Sequence, residues 1–143
     1  MTGKDEHLHR LSEVSVFRAL SRKDLEVLGR AADTVSAPAG TVLVREGQVG
    51  REFYVVLDGE VAVTVGGDEV AALGVGDWFG ELALIDPGPR DATVTARRDS
   101  ELLVIEARRF RPLLDEVPVL AHKMMVGLAR RVRESDRARV WQG

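Results

Sequence analysis

Between Trp78 and Ala96 the chain reads W-F-G-E-L-A-L-I-D-P-G-P-R-D-A-T-V-T-A, and the residues best suited to chemistry are concentrated there. Gly80 lets backbone approach a ligand closely. The residues after it can form a helical half-turn with free N–H groups, and Arg90 adds a permanent positive charge. Together these make a small anion cradle. Glu81, in the same turn, is of no use to an anion but can accept hydrogen bonds from hydroxyls. A ligand carrying both a phosphate and a sugar therefore suits the unit. Pro87, Gly88 and Pro89 form a rigid corner that leads into Arg90.

The elements that must hold this stretch in place are legible on either side of it. Residues 8–32 read as helical: Leu8, Leu11, Val14 and the Phe17–Leu20 run give one apolar stripe, and Leu25, Leu28 and Ala32 continue it. Ser21 breaks the stripe as an N-cap, with Asp24 three residues on. From Thr34 to Glu106 the pattern changes to short β runs, and most of the 14 glycines fall between Gly40 and Gly88, as punctuation. Strands are expected at Thr34–Ala37, Thr41–Arg45, Glu52–Leu57, Glu60–Val65, Glu69–Leu73, Thr93–Arg97 and Glu101–Glu106. Asp58-Gly59 and Gly66-Gly67-Asp68 are expected as hairpin turns. Strands spaced ~8–12 residues apart point to a sandwich, jelly roll or barrel.

A short helix is expected at Arg108–Asp115, with Pro112 in its first turn, and a longer one from Pro118 to about Val140. Leu120, Ala121, Met124, Met125, Leu128 and Val132 form the apolar face of the longer helix, and both methionines are read as core packing. Arg130, Arg131, Arg133, Arg137 and Arg139, with Glu134 and Asp136 among them, read as a solvated face. The chain is expected to be one domain: N-terminal helices over 1–33, a β-roll over 34–106 and C-terminal helices over 107–143.

Composition narrows the function classes. A formal net charge of −3 over 143 residues argues against a surface built for nucleic acid. No apolar run approaches the ~18 residues of a membrane span, and the polar start, Met1 to Arg10, has no signal-peptide core. The absence of cysteine excludes disulfides and thiolate metal sites and fits a cytoplasmic protein. His7 and His9 have no local partner for a metal and read as a solvated tail.

At F-G-E-L-A-L followed by P-R-x-A-T-V, the chain resembles the cyclic-nucleotide-binding domain family of bacterial cAMP-receptor transcription factors, kinase regulatory subunits and cyclic-nucleotide-gated channels. The resemblance extends upstream through Glu46-Gly47 with Gly50, Phe53-Tyr54-Val55-Val56 and Asp58-Gly59-Glu60-Val61, and covers roughly Leu11 to Val140. It implies a mainly β fold: a jelly-roll β-barrel (double-stranded β-helix) flanked by N-terminal helices and a long C-terminal helix. It also implies a role in signal transduction, with cAMP, or else cGMP, as ligand and no further cofactor. Glu81 would accept from the ribose 2′-hydroxyl. Gly80, Leu82 and Ala83 would line the phosphate-binding helix, and Arg90 would pair with an exocyclic phosphate oxygen beside Asp91 and Ala92. The base would lie against Val63 and the Val70–Ala72 side, under the long helix, where Ser135 and Asp136 could reach its exocyclic groups.

Asp91 departs from the family, which often carries Ala, Ser or Thr after the arginine. A carboxylate ~4 Å from a phosphate would cost about 4 kcal/mol at an effective dielectric near 20, roughly a thousandfold in affinity. Successive strand residues point to opposite faces, so an inward Arg90 sends Asp91 outward, where only its backbone faces the ligand.

Other functions fit less well. A metal-dependent enzyme on a similar roll needs histidines in the β section, yet His7, His9 and His122 lie outside it. A DNA-binding regulator would carry a helix-turn-helix after the long helix, and no DNA-binding domain is expected in this chain. The alternative to a cyclic-nucleotide sensor is a degenerate domain that binds no nucleotide and acts as a dimerisation or scaffold module. A homodimer through the C-terminal helix and no membrane partner are expected.

Overall fold

Two strands whose faces are both apolar form the spine of the molecule. In β3 (Glu52–Asp58), Phe53 and Val55 face a core shared with the helices, while Tyr54 and Val56 face a second core between two sheets. In β8 (Ser100–Glu106), Leu103 and Ile105 point to the helices and Leu102 to the inter-sheet core. A strand covered on both faces reads as a continuous apolar run, which is how these two appear in the sequence.

The computed structural model describes the backbone of residues 3–14, 17–80 and 88–142 and the side chains of residues 8–14, 17–80 and 88–134. Within these, α1 (Gly3–Glu13) and α2 (Arg22–Ala31) precede β1 (Asp33–Ala37), β2 (Val42–Val44), β3, β4 (Val61–Val65), β5 (Asp68–Leu73), β6 (Trp78–Phe79), β7 (Thr93–Ala96) and β8. The helices α3 (Ala107–Glu116) and α4 (Pro118–Gln142) follow. One antiparallel sheet has the order β1-β8-β3-β6 and the other β2-β7-β4-β5. This is the expected jelly-roll arrangement with flanking helices, built as two facing sheets; among the described residues no ladder closes them into a barrel.

Each expected strand is present within a residue or so of its predicted limits; β6 is the addition. The helices bury Leu11, Leu25, Leu28, Phe110, Leu113, Leu120 and Met124 against Phe53, Trp78 and Ile105. Ser21 caps α2, its hydroxyl accepting the Asp24 N–H at 3.1 Å.

Two helical expectations are corrected. Pro112 lies in the middle of α3, not in its first turn. Its ring removes a bond to the Arg108 carbonyl, a loss tolerated because Arg108 and Pro112 are both exposed and water can serve the freed oxygen. Met125 is 61% exposed and Val132 59%, so the covered face of α4 is narrower than its apolar composition suggests. Leu120 and Met124, with the half-buried Leu128, provide the packing.

Candidate functional site

The backbone around Arg90 is pinned before its side chain is placed. The Arg90 N–H donates to the Gln48 carbonyl at 2.9 Å, and the Arg90 carbonyl accepts from the Gly47 N–H at 2.9 Å. Val49 bridges Pro89 across the same turn. The Pro89 ring restricts the approach, so the 47–49 turn and the proline together aim Arg90 inward.

The guanidinium lies in a slot made by two glycines. A Cβ at Gly50 would fall 1.7 Å from Arg90 Nε, and one at Gly80 would fall 2.9 Å from Nη1 and 2.6 Å from the Glu52 carbonyl oxygen. Gly80 also has φ +87°, which an L side chain rarely adopts. Arg90 Nη2 donates to the Glu52 carbonyl at 2.9 Å and more weakly to Glu52 Oε2 at 3.4 Å. Arg90 is 9% exposed, and its Nε is buried with no hydrogen-bond partner among the described residues. A buried, incompletely satisfied cation is expensive unless something else uses it. It borders a cavity of about 210 Å³ that is also lined by Glu52, Gly50, Gln48, Arg45 and strand β2.

Tyr54 senses the same charges. Burial and then the Glu52 carboxylate push its phenol above the usual range, while Arg90 pulls the other way. Its ring stacks on Phe79 with centroids 4.8 Å apart.

The structure treats the other sequence candidates unequally. Asp91 is exposed while its neighbour Arg90 is buried, so the two side chains part company; Ala92 is half-buried. Val63 is half-buried against the inter-sheet core and pairs across the ladders with Ala71 and Val94. Val70, Ala71 and Ala72 are exposed on the edge strand β5. Glu81, Leu82 and Ala83 lie outside the described residues. Ser135 and Asp136 fall within α4, and their side chains lie outside the described residues.

Sequence reasoning missed two features. Arg131, read there as part of a solvated face, places its guanidinium 4.1 Å from the centroid of the Trp78 ring and donates to the Trp78 carbonyl. Gly127, one turn earlier on α4, makes room for that ring: a Cβ there would lie 2.6 Å from Trp78 Cζ2. The helix thus docks on β6, directly before Gly80. The i,i+4 spacing of a glycine and an arginine was the only sequence signal. The second feature, Glu52 beside Arg90, had none, because the pair is brought together by strand β3 and the 47–49 turn.

Comparison with known proteins places these features in context. The sequence profile of the cyclic nucleotide-binding domain matches residues 34–117. The chain is 38% identical over 104 residues to the cyclic AMP receptor protein of Thermus thermophilus, covering 69% of this chain and 48% of that one. It is 37% identical over 105 residues to the cAMP-dependent protein kinase regulatory subunit of Schizosaccharomyces pombe, covering 73% and 26%. The chain therefore spans half or less of these relatives. The crystal structure of the Thermus thermophilus catabolite activator protein superposes with a TM-score of 0.78 at 32% identity, over 86% of this chain and 60% of that one. The regulatory domain of Toxoplasma gondii PKA, crystallised with cAMP, superposes with a TM-score of 0.76 at 27% identity, over 92% and 50%.

Proposed function

The chain belongs to the cyclic nucleotide-binding domain family, and from that premise we propose that it is a sensor module that captures cAMP in preference to cGMP and couples capture to movement of α4. The observation that carries this reading is Arg90: buried, aimed by its backbone, held between Gly50 and Gly80, and with Nε unpartnered among the described residues beside a cavity. A cyclic phosphate is the anion that such a group would accept through charge-assisted hydrogen bonds.

In this reading Arg90 binds an exocyclic phosphate oxygen, and the backbone at Gly80, Leu82 and Ala83 supplies N–H groups. Glu81 takes the ribose 2′-hydroxyl. Asp91 and Ala92 contribute backbone only, in keeping with the exposure of the Asp91 side chain. Val63 meets the base, and Ser135 and Asp136 reach its exocyclic groups. Preference for cAMP is supported by relatives named as a cyclic AMP receptor and a cAMP-dependent kinase regulatory subunit. Coupling to α4 is supported by Arg131 and Gly127, which seat the helix on Trp78 next to Gly80. Ligand capture shifts the helix only if the two positions of α4 differ in their contacts with the occupied site.

The module acts as a single binding domain rather than an enzyme, in the cytoplasm. No helix among the described residues is long and apolar enough to cross a membrane. Homodimerisation through α4 is supported by Met125 and Val132, both exposed and seven positions apart.

Titration calorimetry with cAMP and cGMP, read together with Trp78 fluorescence in a Trp141→Phe background, tests the proposal. We expect saturable heat, tighter for cAMP, and a change in Trp78 emission that saturates with it. At a hundredfold excess over Kd the melting temperature should rise by roughly 5–10 °C, from about 2.7 kcal/mol of linkage. No heat and no shift at millimolar ligand would leave a domain without nucleotide. Heat without a fluorescence change would remove the helix coupling alone.

A further inference from the structure

The anion site inferred above contains a negative charge as well as a positive one. Glu52 Oε2 lies 3.4 Å from Arg90 Nη2 and 3.3 Å from the Arg51 backbone N–H, both long for hydrogen bonds. The carboxylate is not what aims the arginine: the Glu52 backbone carbonyl does that at 2.9 Å, and Gly50 and Gly80 shape the slot. Nor is it drawn elsewhere. Its cross-strand partner on β8 is Glu106, a like charge whose own carboxylate is engaged by Arg108 Nε at 2.7 Å. Glu52 therefore stays at the cavity wall, its side chain 41% exposed, next to the one buried cation among the described residues.

We propose that Glu52 is a specificity-determining residue that biases this site toward singly charged phosphodiesters and against doubly charged phosphomonoesters. The proposal rests on the reading of Arg90 as the phosphate partner. Coulomb repulsion from a fixed carboxylate is linear in the charge of the ligand. A 3′,5′-cyclic phosphate carries one negative charge, whereas a linear nucleoside 5′-monophosphate carries two once its second proton, with pKa about 6, has gone. The attraction of Arg90 doubles for the monoester, but so does the penalty from Glu52. The carboxylate therefore cancels part of the advantage that the second charge would otherwise give the same nucleoside after ring opening.

The test compares the full chain with Glu52→Gln, and with Glu52→Ser if glutamine perturbs β3, by calorimetric titration with cAMP and with 5′-AMP at pH 8 and low salt. A thermal melt confirms that each variant is folded. Neutralising Glu52 should tighten cAMP by about threefold to tenfold, given a half-exposed carboxylate. It should tighten 5′-AMP by about the square of that factor, so the preference for cAMP narrows by about threefold to tenfold. Equal changes for the two ligands, or weaker cAMP binding, would overturn the role of Glu52 and leave the Arg90 reading standing. Failure of the unmodified chain to bind cAMP would overturn both.

Discussion

Arg90→Leu is expected to weaken cAMP binding by about a hundredfold or more while leaving the fold in place. A charge-assisted hydrogen bond contributes about 1.5–3 kcal/mol, and leaving a desolvated phosphate without its cation costs about 2–5 kcal/mol. The effect on stability should be small by comparison. Leucine forfeits the bond to the Glu52 carbonyl, but it also removes a buried charge whose Nε has no partner among the described residues. Calorimetry for affinity and a thermal melt for stability separate the two effects. If the variant bound cAMP within threefold of the parent, the phosphate would have to be held by other groups. If instead it failed to fold, Arg90 would be a structural residue first.

Gly80→Ala should damage the fold and the site together. The residue has φ +87°, a conformation that costs an L side chain about 1–2 kcal/mol. Its new Cβ would also stand 2.6 Å from the Glu52 carbonyl oxygen. That oxygen cannot retreat easily, because β3 is laddered to β8 on one side and to β6 on the other. Strain of this kind should lower unfolding stability by about 2–4 kcal/mol. The Glu52 carbonyl is also the acceptor that positions Arg90, so affinity should fall as well. Gly74→Ala makes the control: nothing lies within 4 Å of its added Cβ and its backbone is unstrained, so a change within about 0.5 kcal/mol is expected. Denaturant unfolding of the two variants side by side checks this. Equal stabilities would mean that the slot around Gly80 is not rigid.

How much of this was readable from residues alone follows from what each element packs against. Strands β3 and β8 are legible as apolar runs because both of their faces are covered, and the helices because their apolar stripe recurs with period 3.6. Strand β6 did not: Trp78 and Phe79 make a strand only because Val55 and Tyr54 lie opposite, a pairing no local pattern records. Pro112 was misplaced for a similar reason, since its tolerance depends on the exposure of Arg108 rather than on local sequence. Met125 was assigned to the core from its place on the apolar face of the long helix, although the packed stripe of α4 is only wide enough for Leu120, Met124 and Leu128.

Within the candidate site, Arg90 and Gly80 were legible through the spacing of a family motif, while Glu81 lies outside the described residues. The exposure of Asp91 agrees with the expectation, but not for the period-2 reason: Arg90 and Asp91 precede β7, and it is the 47–49 turn that pins the Arg90 backbone. Glu52 was not legible and Arg131 only through its spacing from Gly127, because each meets its partner through the fold. Those two residues surround Arg90 and Trp78 with charges that the sequence leaves far apart.

The measurement that bears most directly on the central claim is the crystal structure of the chain grown with cAMP. One nucleotide per chain is expected, with an exocyclic phosphate oxygen within hydrogen-bond reach of the Arg90 guanidinium. The Glu81 carboxylate should accept from the ribose, and the Asp91 side chain should be turned to solvent. A nucleotide bound away from Arg90, or a structure grown at millimolar cAMP with nothing beside the Gly50–Gly80 slot, would contradict it.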